Sequence, residues 1–575
     1  MKNEKLAKIF KEISILLQIE NEPFKAFAYK KASLALENLR EDIEEIFKQK
    51  GKKGIIEIHD IGETMAEQVI EYLKEGKISY YEILKEKYPL EAEALLALEG
   101  IGPKRIRVLF EKLKIKNLKE LEKAARENKI QKIPGFGRKI ERNILREIQF
   151  FKKYKGKLTL FEALKIGKEI QIFLKNLKEI KEVKIAGELR RKKEIVKEIV
   201  FVVSTSKIKK IKEAILKYEK IEKVLAQDEE KILFRLESGA LVSIYLTLPK
   251  SFGAHLLFYT GSQKHLSYLL KRALDMGCNL TKHGLFKKRK MIAGWREGGI
   301  YKALGLPYIP PEIREGEKEF ELALSGRLSS LLDFSDIKGD LHCHSNWNGG
   351  KDSIEKMALE AMKRGYSYLG ISDHSKFLKI ERGLDEKRLS LQRKEIEKLN
   401  QKFKKEGKNF KILQGVEANI LKDGKLDLED KTLAKLDYVI AGIHSHFKLS
   451  KKEMTKRLEK AMKNPYVKII SHPTGRILKE RDEYKINFDR ILKVAKATNT
   501  ALEINSWPSR LDLGAEKIEL AKKMGVKLII GSDAHSISHL GFIKLGVWQA
   551  KRGFLEKKDV LNCFSQKKIL NFLKK

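Results

Sequence analysis

Histidine and acidic residues follow a series of apolar segments in the C-terminal third of the chain. The segments read GDLHCHS, SDHS, GVEAN, GIHSHF, ISHPTGR and GSDAH, and this third holds eight of the twelve histidines. Neutral imidazoles and carboxylates together suit zinc, manganese or iron ions. Each histidine alone fits an ordinary core or surface position, but so many polar side chains at one place are costly to pack unless cations hold them together. The set therefore predicts a metal site.

Two pairs of residues in these segments have the spacing of a strand. His342 and His344 are two residues apart, so a strand directs both side chains to the same face. Asp533 and His535 repeat this spacing in the last segment. Bound cations lower the pKa of a water molecule and offset the charge that develops on a phosphate ester during hydrolysis. The chemistry indicated is phosphoester hydrolysis without a protein nucleophile.

A particular architecture is needed to bring these side chains together. From Ile337 onward, short apolar strands alternate with helices. This alternation predicts parallel strands in a (β/α) barrel, whose strand C-termini converge at one face. We expect the histidines and acids that close the strands to meet at that face.

Residues 337–575 resemble the polymerase-and-histidinol-phosphatase (PHP) domain, because six motifs occur in the order typical of that family. The resemblance implies a distorted barrel that binds two or three divalent ions, with Mn²⁺ and Zn²⁺ as the candidates. The metal ligands that it implies are His342, His344, His374, Glu417, His444, His472, Asp533 and His535. The catalytic residues that it implies are His342, His344, Glu417, Asp533, His535 and Arg510, with Arg476 as a second basic residue for the substrate phosphate.

One position departs from the pattern of the PHP family. The family has a metal-binding aspartate after the first motif, where this chain has Gly349 in HSNWNGGKDS. Without that carboxylate one ion retains His374 and His472 as ligands, unless Asp352 reaches in from the same loop. We therefore expect the third ion to be weakly bound or absent.

The first 155 residues read almost entirely as helices, because apolar residues recur at helical spacing. Glycine-rich turns separate the helices, and GIGPKR and GFGRK place basic residues at the start of the next helix. Backbone N–H groups at a helix N-terminus favour a phosphate, so these turns predict sequence-independent contacts with a DNA backbone. The residues expected to make them are Gly100, Gly102, Lys104, Arg105, Gly135, Gly137, Arg138 and Lys139.

Residues 1 to about 315 resemble family X DNA polymerases, the polymerase beta class. The resemblance is based on the glycine turns, on GELRR before the apolar run EIVFVV, and on FGAHLLFYTGSQKH. It implies lyase-like helices (1–86), helix-hairpin-helix fingers (87–155), a palm (156–250) and a thumb (251–315). A charged linker (316–336) then leads to the PHP region, so the whole chain is expected to be a multidomain α/β protein.

The sequence has the motifs around the polymerase site of the family but lacks most of the carboxylates that bind its metal ions. The resemblance identifies the polymerase site with Gly187, Arg190, Arg191, Glu198, Val200, Ser243, Gly261 and Ser262. Phosphoryl transfer needs two cations held by carboxylates, and the corresponding positions are Glu198, Val200 and Ser243. Valine cannot bind a cation, so we expect a palm that does not extend a primer. Gln68 replaces the lyase lysine of the family, so lyase activity is also expected to be lost.

The composition favours a polyanionic partner. The chain has 120 Lys and Arg against 79 Asp and Glu, a net charge of +41. Three scattered cysteines form no disulfide framework and indicate a reducing compartment. The N-terminal segment is amphipathic and not a signal peptide, and no apolar run reaches the roughly 18 residues that span a membrane. We expect a cytoplasmic monomer, without a membrane partner, that binds gapped, nicked or 3′-ended DNA.

The leading interpretation is a DNA repair enzyme whose barrel hydrolyses phosphodiesters as a 3′→5′ exonuclease or a 3′-end phosphatase. A second interpretation is an active gap-filling polymerase with a proofreading barrel. A third is a DNA-binding scaffold without activity, which the near-complete histidine set argues against. A fourth is hydrolysis of a small phosphate ester such as histidinol phosphate, which the basic turns argue against.

Overall fold

The computed structural model describes residues 2–39, 41–96, 98, 100–316 and 318–574. The chain divides into two compact units, residues 1–155 and residues 156–575. In the described ranges, no helix is both long and apolar enough to cross a membrane. The first unit has a core of its own, and several hydrophobic clusters make up the core of the second.

The first unit consists of helices joined by short turns, as the sequence predicts. Its described helices are α1 (Lys2–Glu20), α2 (Pro23–Asn38), α3 (Ile43–Ile56), α4 (Glu63–Glu75), α5 (Ser79–Lys87), α6 (Ala92–Leu96), α7 (Pro103–Leu113), α8 (Leu118–Arg126) and α9 (Gly137–Tyr154). Apolar residues recur every three or four positions, and in α1 the side chains of Leu6, Phe10, Ile13 and Leu17 are all buried.

Residues 156–250, the palm segment, form a twisted sheet with helices beside it. The elements are β1 (Leu158–Thr159), α10 (Leu160–Lys175), β2 (Ile180–Ala186), α11 (Gly187–Arg190), β3 (Ile195–Val196), β4 (Ile199–Thr205), α12 (Ile208–Leu216), β5 (Ile221–Gln227), β6 (Lys231–Leu236) and β7 (Leu241–Thr247). The strand order is β2-β4-β7-β6-β5, in which only β4 and β7 are a parallel pair among the described strands. This arrangement places the start of β4 beside the start of β7.

Residues 251–315, the thumb segment, combine helices with a three-stranded antiparallel sheet. The elements are α13 (Phe252–Thr260), α14 (Gln263–Asp275), β8 (Cys278–Thr281), β9 (Gly284–Lys287), β10 (Lys290–Ala293) and α15 (Glu297–Ala303). The segment 316–336, predicted as a charged linker, is folded against the thumb segment. It contains α16 (Lys318–Leu324), and Phe320 and Ala323, three residues apart on one face of this helix, are buried in the thumb cluster together with Leu322.

Residues 337–574 form the (β/α) barrel. Its strands are β11 (Gly339–Cys343), β12 (Tyr368–Ile371), β13 (Lys411–Gln414), β14 (Glu417–Asn419), β15 (Val439–Gly442), β16 (Val467–Ile470), β17 (Ala501–Asn505) and β18 (Leu528–Gly531). All described pairs are parallel, in the orders β11-β12-β13 and β14-β15-β16-β17-β18. Bridges between Cys343 and Ala534 and between His374 and Glu417 join the two sheets.

Helices surround the barrel strands. They are α17 (Ile354–Lys363), α18 (Glu386–Lys405), α19 (Asp430–Leu433), α20 (Lys451–Met462), α21 (Phe488–Thr498), α22 (Ala515–Met524), α23 (Ile543–Arg552) and α24 (Gln566–Lys574). The barrel also shares a core with the palm segment, because Leu478, Leu511 and Leu545 are buried in the same cluster as the palm strands. The predicted fold class is confirmed.

Candidate functional site

Glu417 lies at the centre of a histidine cluster at the C-terminal ends of the barrel strands. It follows the end of β13 and begins the short strand β14, and its carboxylate is buried. Oε2 is 3.0 Å from Nδ1 of His374 and 3.3 Å from Nε2 of His342. Oε1 is 3.0 Å from Nε2 of His472 and 3.4 Å from Nε2 of His444. Four other segments of the barrel therefore direct one imidazole each to this carboxylate.

Asp533 is a second buried carboxylate of the cluster and follows β18. Its Oδ1 is 3.2 Å from Nε2 of His344 and 3.6 Å from Nε2 of His342. The Asn505 amide donates a hydrogen bond of 3.0 Å to its Oδ2. The ring of His535 lies 4.3 Å from that of His344, centroid to centroid. With these residues, the structure brings all eight predicted ligands into one cluster.

The cluster contains ionised carboxylates, and burial lowers the pKa of two of its imidazoles, His344 and His444. Burial opposes the charge of Glu417, but the surrounding imidazoles, first His342, hold the pKa of this carboxyl well below its usual range. Burial keeps the pKa of His344 well below the usual value for histidine. It also lowers the pKa of His444 to about 4. Neutral imidazole and carboxylate are ligands for zinc, manganese and iron.

Buried ring nitrogens of this cluster lack hydrogen-bond partners among the described residues. They are Nε2 of His342 and His444, both ring nitrogens of His344, and Nδ1 of His374 and His472. Three sets of ligand atoms lie within 4.8 Å of one another, namely His344/His374/His535, His342/His344/Asp533 and His374/Glu417/His444. Burying ring nitrogens that have no hydrogen-bond partner is costly, and a cation bound between these nitrogens and the neighbouring carboxylates removes that cost. The residues present therefore fit a cluster of divalent cations.

Three residues that orient members of the cluster were not predicted from the sequence: Glu503, Asn419 and Asn505. Oε1 of Glu503 is 2.5 Å from Nδ1 of His342, and because a carboxylate can only accept, Nδ1 donates and Nε2 faces the cluster. Oδ1 of Asn419 lies 3.2 Å from Nδ1 of His444 and orients that ring in the same way. Glu503 and Asn505 are two residues apart on β17, the same spacing as His342 and His344, but this strand has no histidine that would mark it in the sequence.

In the palm segment, the predicted polymerase positions form a hydrogen-bonded pair. Glu198 precedes β4, and its carboxylate accepts a hydrogen bond from the Ser243 hydroxyl on β7. Val200 is opposite Ser243 in the register of β4 and β7. A Cβ placed on Gly187 would lie 3.0 Å from Cγ2 of Val200, so this side chain fills the space beside the glycine turn. One carboxylate and a methyl-bearing side chain therefore occupy the positions where two cations need several oxygens.

The two arginines of GELRR are held by internal ion pairs. Arg190 donates bonds of 3.0 Å and 2.6 Å to the Glu297 carboxylate. Nε of Arg191 is 3.4 Å from Oε1 of Glu315, and its guanidinium also donates to a backbone carbonyl. The turn Gly261–Ser262 leads into α14, whose N-terminus the Ser262 hydroxyl caps. These groups stabilise the palm and thumb segments against each other.

Comparison with known proteins identifies the family. The family models that match describe a helix-hairpin-helix domain (residues 1–78), a SAM-like helix-hairpin-helix tandem (92–149), a DNA polymerase beta thumb (255–315) and a PHP domain (340–507). The chain is 36% identical over 582 residues to the DNA polymerase/3′-5′ exonuclease PolX of Bacillus subtilis, and the alignment covers 100% of both chains. The chain belongs to the PolX family. The predicted resemblances to family X polymerases and to the PHP domain are confirmed.

Other relatives match the barrel alone. A probable phosphatase of Caldanaerobacter subterraneus is 43% identical over 142 residues, which is 23% of this chain and 53% of that protein. A probable phosphatase of Thermoanaerobacter is 33% identical over 234 residues, which is 39% of this chain and 89% of that protein. The PHP domain is a metal-dependent hydrolase domain, so this PolX family member is an enzyme, and its helix-hairpin-helix domains imply DNA binding.

The two predicted phosphate-binding arginines of the PolX barrel differ in their surroundings. Arg476 is nearly buried, and its guanidinium lies 3.0 Å from Oε1 of Glu194 in the palm segment. Its Nε also donates a 3.1 Å bond to the Arg510 carbonyl. Arg476 therefore joins the barrel to the palm segment instead of facing the cluster, whereas the side chain of Arg510 is partly exposed in the loop after β17.

The loop around Gly349 shows why Asp352 does not replace the missing aspartate of the PHP family. The Asp352 carboxylate accepts a 2.9 Å bond from the backbone N–H of Ile537, and it belongs to none of the sets of clustered ligand atoms among the described residues. A Cβ on Gly349 would overlap the Glu381 carboxylate. The space for an aspartate side chain at this position is thus occupied by Glu381.

The predicted DNA contacts of the first unit lie in two glycine turns. Gly100 and Gly135 have φ of 87° and 86°, a region that favours glycine. Gly102 is the N-cap residue of α7, and α9 begins at Gly137. The basic residues that follow these turns are at least partly exposed: Lys104, Arg105, Arg138 and Lys139. Each turn therefore presents N–H groups and positive charge at the same place.

The predicted lyase position lies in α4 of the first unit. Gln68 is buried there, and its amide oxygen accepts a 2.8 Å bond from the Tyr29 hydroxyl. An amide has no nucleophilic amine, so this position cannot form a Schiff base with a sugar.

Proposed function

We propose that this PolX family member processes the 3′ ends of gapped or nicked DNA. In this proposal the barrel hydrolyses the phosphodiester bond and the helix-hairpin-helix turns bind the DNA. The observation that supports this proposal most directly is the set of buried imidazole nitrogens around Glu417 and Asp533 that have no hydrogen-bond partner in the described part of the chain. The name of the Bacillus subtilis relative, DNA polymerase/3′-5′ exonuclease PolX, supports a 3′→5′ direction. Contacts with phosphates through the glycine turns favour DNA binding that is independent of base sequence.

In this proposal the eight clustered residues hold two or three Mn²⁺ or Zn²⁺ ions. When bound, such ions supply an activated water and neutralise charge on the phosphate. Glu503 keeps Nε2 of His342 directed at the cluster, and Asn505 fixes the Asp533 carboxylate. Arg510, at the rim, donates to a non-bridging oxygen of the scissile phosphate. The reaction needs no covalent intermediate with the protein.

We also propose that the palm does not extend a primer. The Glu198 carboxylate is engaged by Ser243, Val200 offers no oxygen, and Arg190 is committed to Glu297. A cytoplasmic location stays a prediction from the three isolated thiols, and the boundaries between the lyase-like, fingers, palm and thumb domains stay predictions from the resemblance.

The experiment uses the purified full chain with Mn²⁺ and a gapped duplex labelled near the 3′ end, with and without deoxynucleotides. We expect shortening of the labelled strand and no extension. His342→Gln combined with His344→Gln should reduce the rate at least about 100-fold, since removal of metal ligands removes the activated water. His446→Gln, an exposed histidine outside the cluster, is the matched control and should retain the rate.

The probable phosphatases among the relatives favour a second candidate for the barrel, removal of a 3′-terminal phosphate. A duplex that ends in a 3′-phosphate, assayed in parallel, separates this activity from release of nucleotides. Efficient extension with deoxynucleotides would contradict the proposal for the palm. Unchanged degradation by the double histidine variant would contradict the proposal for the barrel.

A further inference from the structure

A second group of possible metal ligands lies outside the barrel, within the palm and thumb segments. It consists of Glu230, His255 and His283, whose ligand atoms all lie within 4.8 Å of one another. Glu230 is in the turn between β5 and β6, His255 is in α13, and His283 is in the turn between β8 and β9. Three separate elements therefore direct one ligand each to the same point.

The environment of His255 fixes which of its nitrogens is available. The ring is 1% exposed, and Nδ1 lies 3.2 Å from the carbonyl oxygen of Ser251 and 3.0 Å from the hydroxyl oxygen of Thr247. A carbonyl oxygen can only accept, so the proton is on Nδ1 and Nε2 keeps a lone pair. Metal-binding histidines in proteins are usually oriented in this way by a carbonyl behind the ring.

Nε2 of His255 is directed at the other two residues. It is buried and has no hydrogen-bond partner among the described residues. Its nearest acidic atom is Oε2 of Glu230 at 3.7 Å, which is too far for a hydrogen bond. Placing a proton on Nε2 would put an unsatisfied charge in a buried position, which is costly. A cation between Nε2 and the carboxylate removes this cost.

The other two ligands can adapt to a cation. The ring of His283 is exposed, and its centroid is 5.3 Å from that of His255. Nζ of Lys282 lies 2.7 Å from Oε2 of Glu230, so this ammonium occupies one side of the carboxylate. The Lys282 side chain is 42% exposed, and an exposed ion pair of this kind contributes little to stability. A divalent ion can therefore displace the ammonium easily.

We propose that Glu230, His255 and His283 form a divalent metal site separate from the barrel, with Zn²⁺ as the ion that this set of donors suits best. Two imidazoles and one carboxylate leave a fourth tetrahedral position for water. The ion would join the palm sheet to the thumb sheet through the β8–β9 turn. The following turn of that sheet carries four consecutive basic residues, Lys287, Lys288, Arg289 and Lys290, so the ion would also hold a basic hairpin in position.

The test measures zinc per chain in the full-length protein after loading with Zn²⁺ and removal of free ion by gel filtration. We expect His283→Gln and His255→Gln each to contain one equivalent less than the unchanged protein. His283 is exposed, so its substitution tests the site without a change in the core. His59→Gln, an exposed histidine of the first unit, is the matched control and should retain the full zinc content.

A second measurement separates this site from the barrel. The barrel rate on a labelled single strand should be the same in His283→Gln and in the unchanged protein, while the midpoint of thermal unfolding should rise less with added Zn²⁺ in the variant. Equal zinc content and an equal rise in the midpoint in His283→Gln would overturn the proposal. A lower zinc content together with a lower barrel rate would also overturn it, because the missing ion would then belong to the barrel.

Discussion

At Glu417 in the histidine cluster, burial and neighbouring charges shift the pKa in opposite directions. Burial alone would raise the pKa of this carboxyl, yet the imidazoles around it, first His342, hold the pKa well below its usual range. Burial lowers the pKa of His342, but the negative charges of Glu503, Glu417 and Asp533 have the larger effect and raise this pKa well above the usual value for histidine. Each charge at this site therefore depends on its neighbours, and removal of one ligand alters the others.

Gly349 is the residue at which the metal content of the barrel can be changed. Since the Glu381 carboxylate fills the space beside Gly349, we expect Gly349→Asp alone to leave the metal content unchanged. Gly349→Asp combined with Glu381→Ala should bind one more Mn²⁺ per chain and hydrolyse DNA faster. Metal analysis of both variants, with Glu381→Ala as the control, tests this. The same metal content in the double variant and in the control would contradict it.

Glu297 is the residue for which the structure predicts a clear pH dependence of stability. Burial opposes its charge, but Arg314 and Arg190 lower its pKa to about 2. Because the pKa is lower in the folded chain than in the unfolded chain, the ion pairs stabilise the fold above about pH 4.5 and lose this contribution as the pH falls toward 2.

Glu297→Gln should therefore lower the free energy of unfolding by about 3 kcal/mol at pH 7, because it leaves two buried guanidinium groups unpaired. The difference from the unchanged protein should shrink between pH 4.5 and pH 3. Urea unfolding at several pH values measures it. Glu429→Gln, which breaks an exposed pair with Lys431, should change stability by less than about 0.5 kcal/mol. A difference that does not vary with pH would contradict the prediction.

At the scale of elements, the palm segment and the barrel support each other. The barrel residues Leu478, Leu511 and Leu545 lie in the palm core. The Arg552 guanidinium of α23 donates a 2.8 Å bond to the Arg191 carbonyl in the palm segment. The Arg476 guanidinium contacts the carbonyl oxygens of the loop that contains Arg510. The palm segment thus has a structural role in the loop at the barrel rim.

Glu194→Gln tests this role of the palm. Removing the partner of Arg476 should cost about 1.5–3 kcal/mol of stability, since the pair is mostly buried and charge-assisted. It should also lower the barrel rate several-fold, because the loop with Arg510 loses its support. Thermal unfolding and the nuclease assay measure the two effects. Glu182→Gln on the exposed palm surface serves as the control, and a result equal to that control would refute the role.

At the scale of the whole molecule, the net charge of +41, from 120 basic and 79 acidic residues, is expected to make DNA affinity depend strongly on salt. Each phosphate that a basic side chain neutralises releases counterions, so the binding constant falls steeply as salt increases. Arg138→Gln combined with Lys139→Gln should lower the slope of log Kd against log salt by about 0.9 for each phosphate that is no longer neutralised. Binding titrations at several salt concentrations give this slope. Lys431→Gln in the barrel should retain it, and an unchanged slope in the double variant would show that the second turn does not bind phosphate.

Much of this protein follows from residue types and spacing along the chain. Histidines that close apolar strands predict a barrel with its site at the strand ends, and Val200 in the palm strand predicts that the polymerase ions are not bound. These features are local, since strand alternation and ligand chemistry are properties of short segments.

Other features depend on which distant segments meet in space. The support of His342 by Glu503, the diversion of Arg476 to Glu194 and the meeting of Glu230 with two histidines join residues that are far apart in sequence. Spacing along the chain carries no signal for such pairs, because packing in three dimensions sets their distances. Packing within the barrel, of the barrel against the palm segment, and of the palm segment against the thumb segment brought these side chains together.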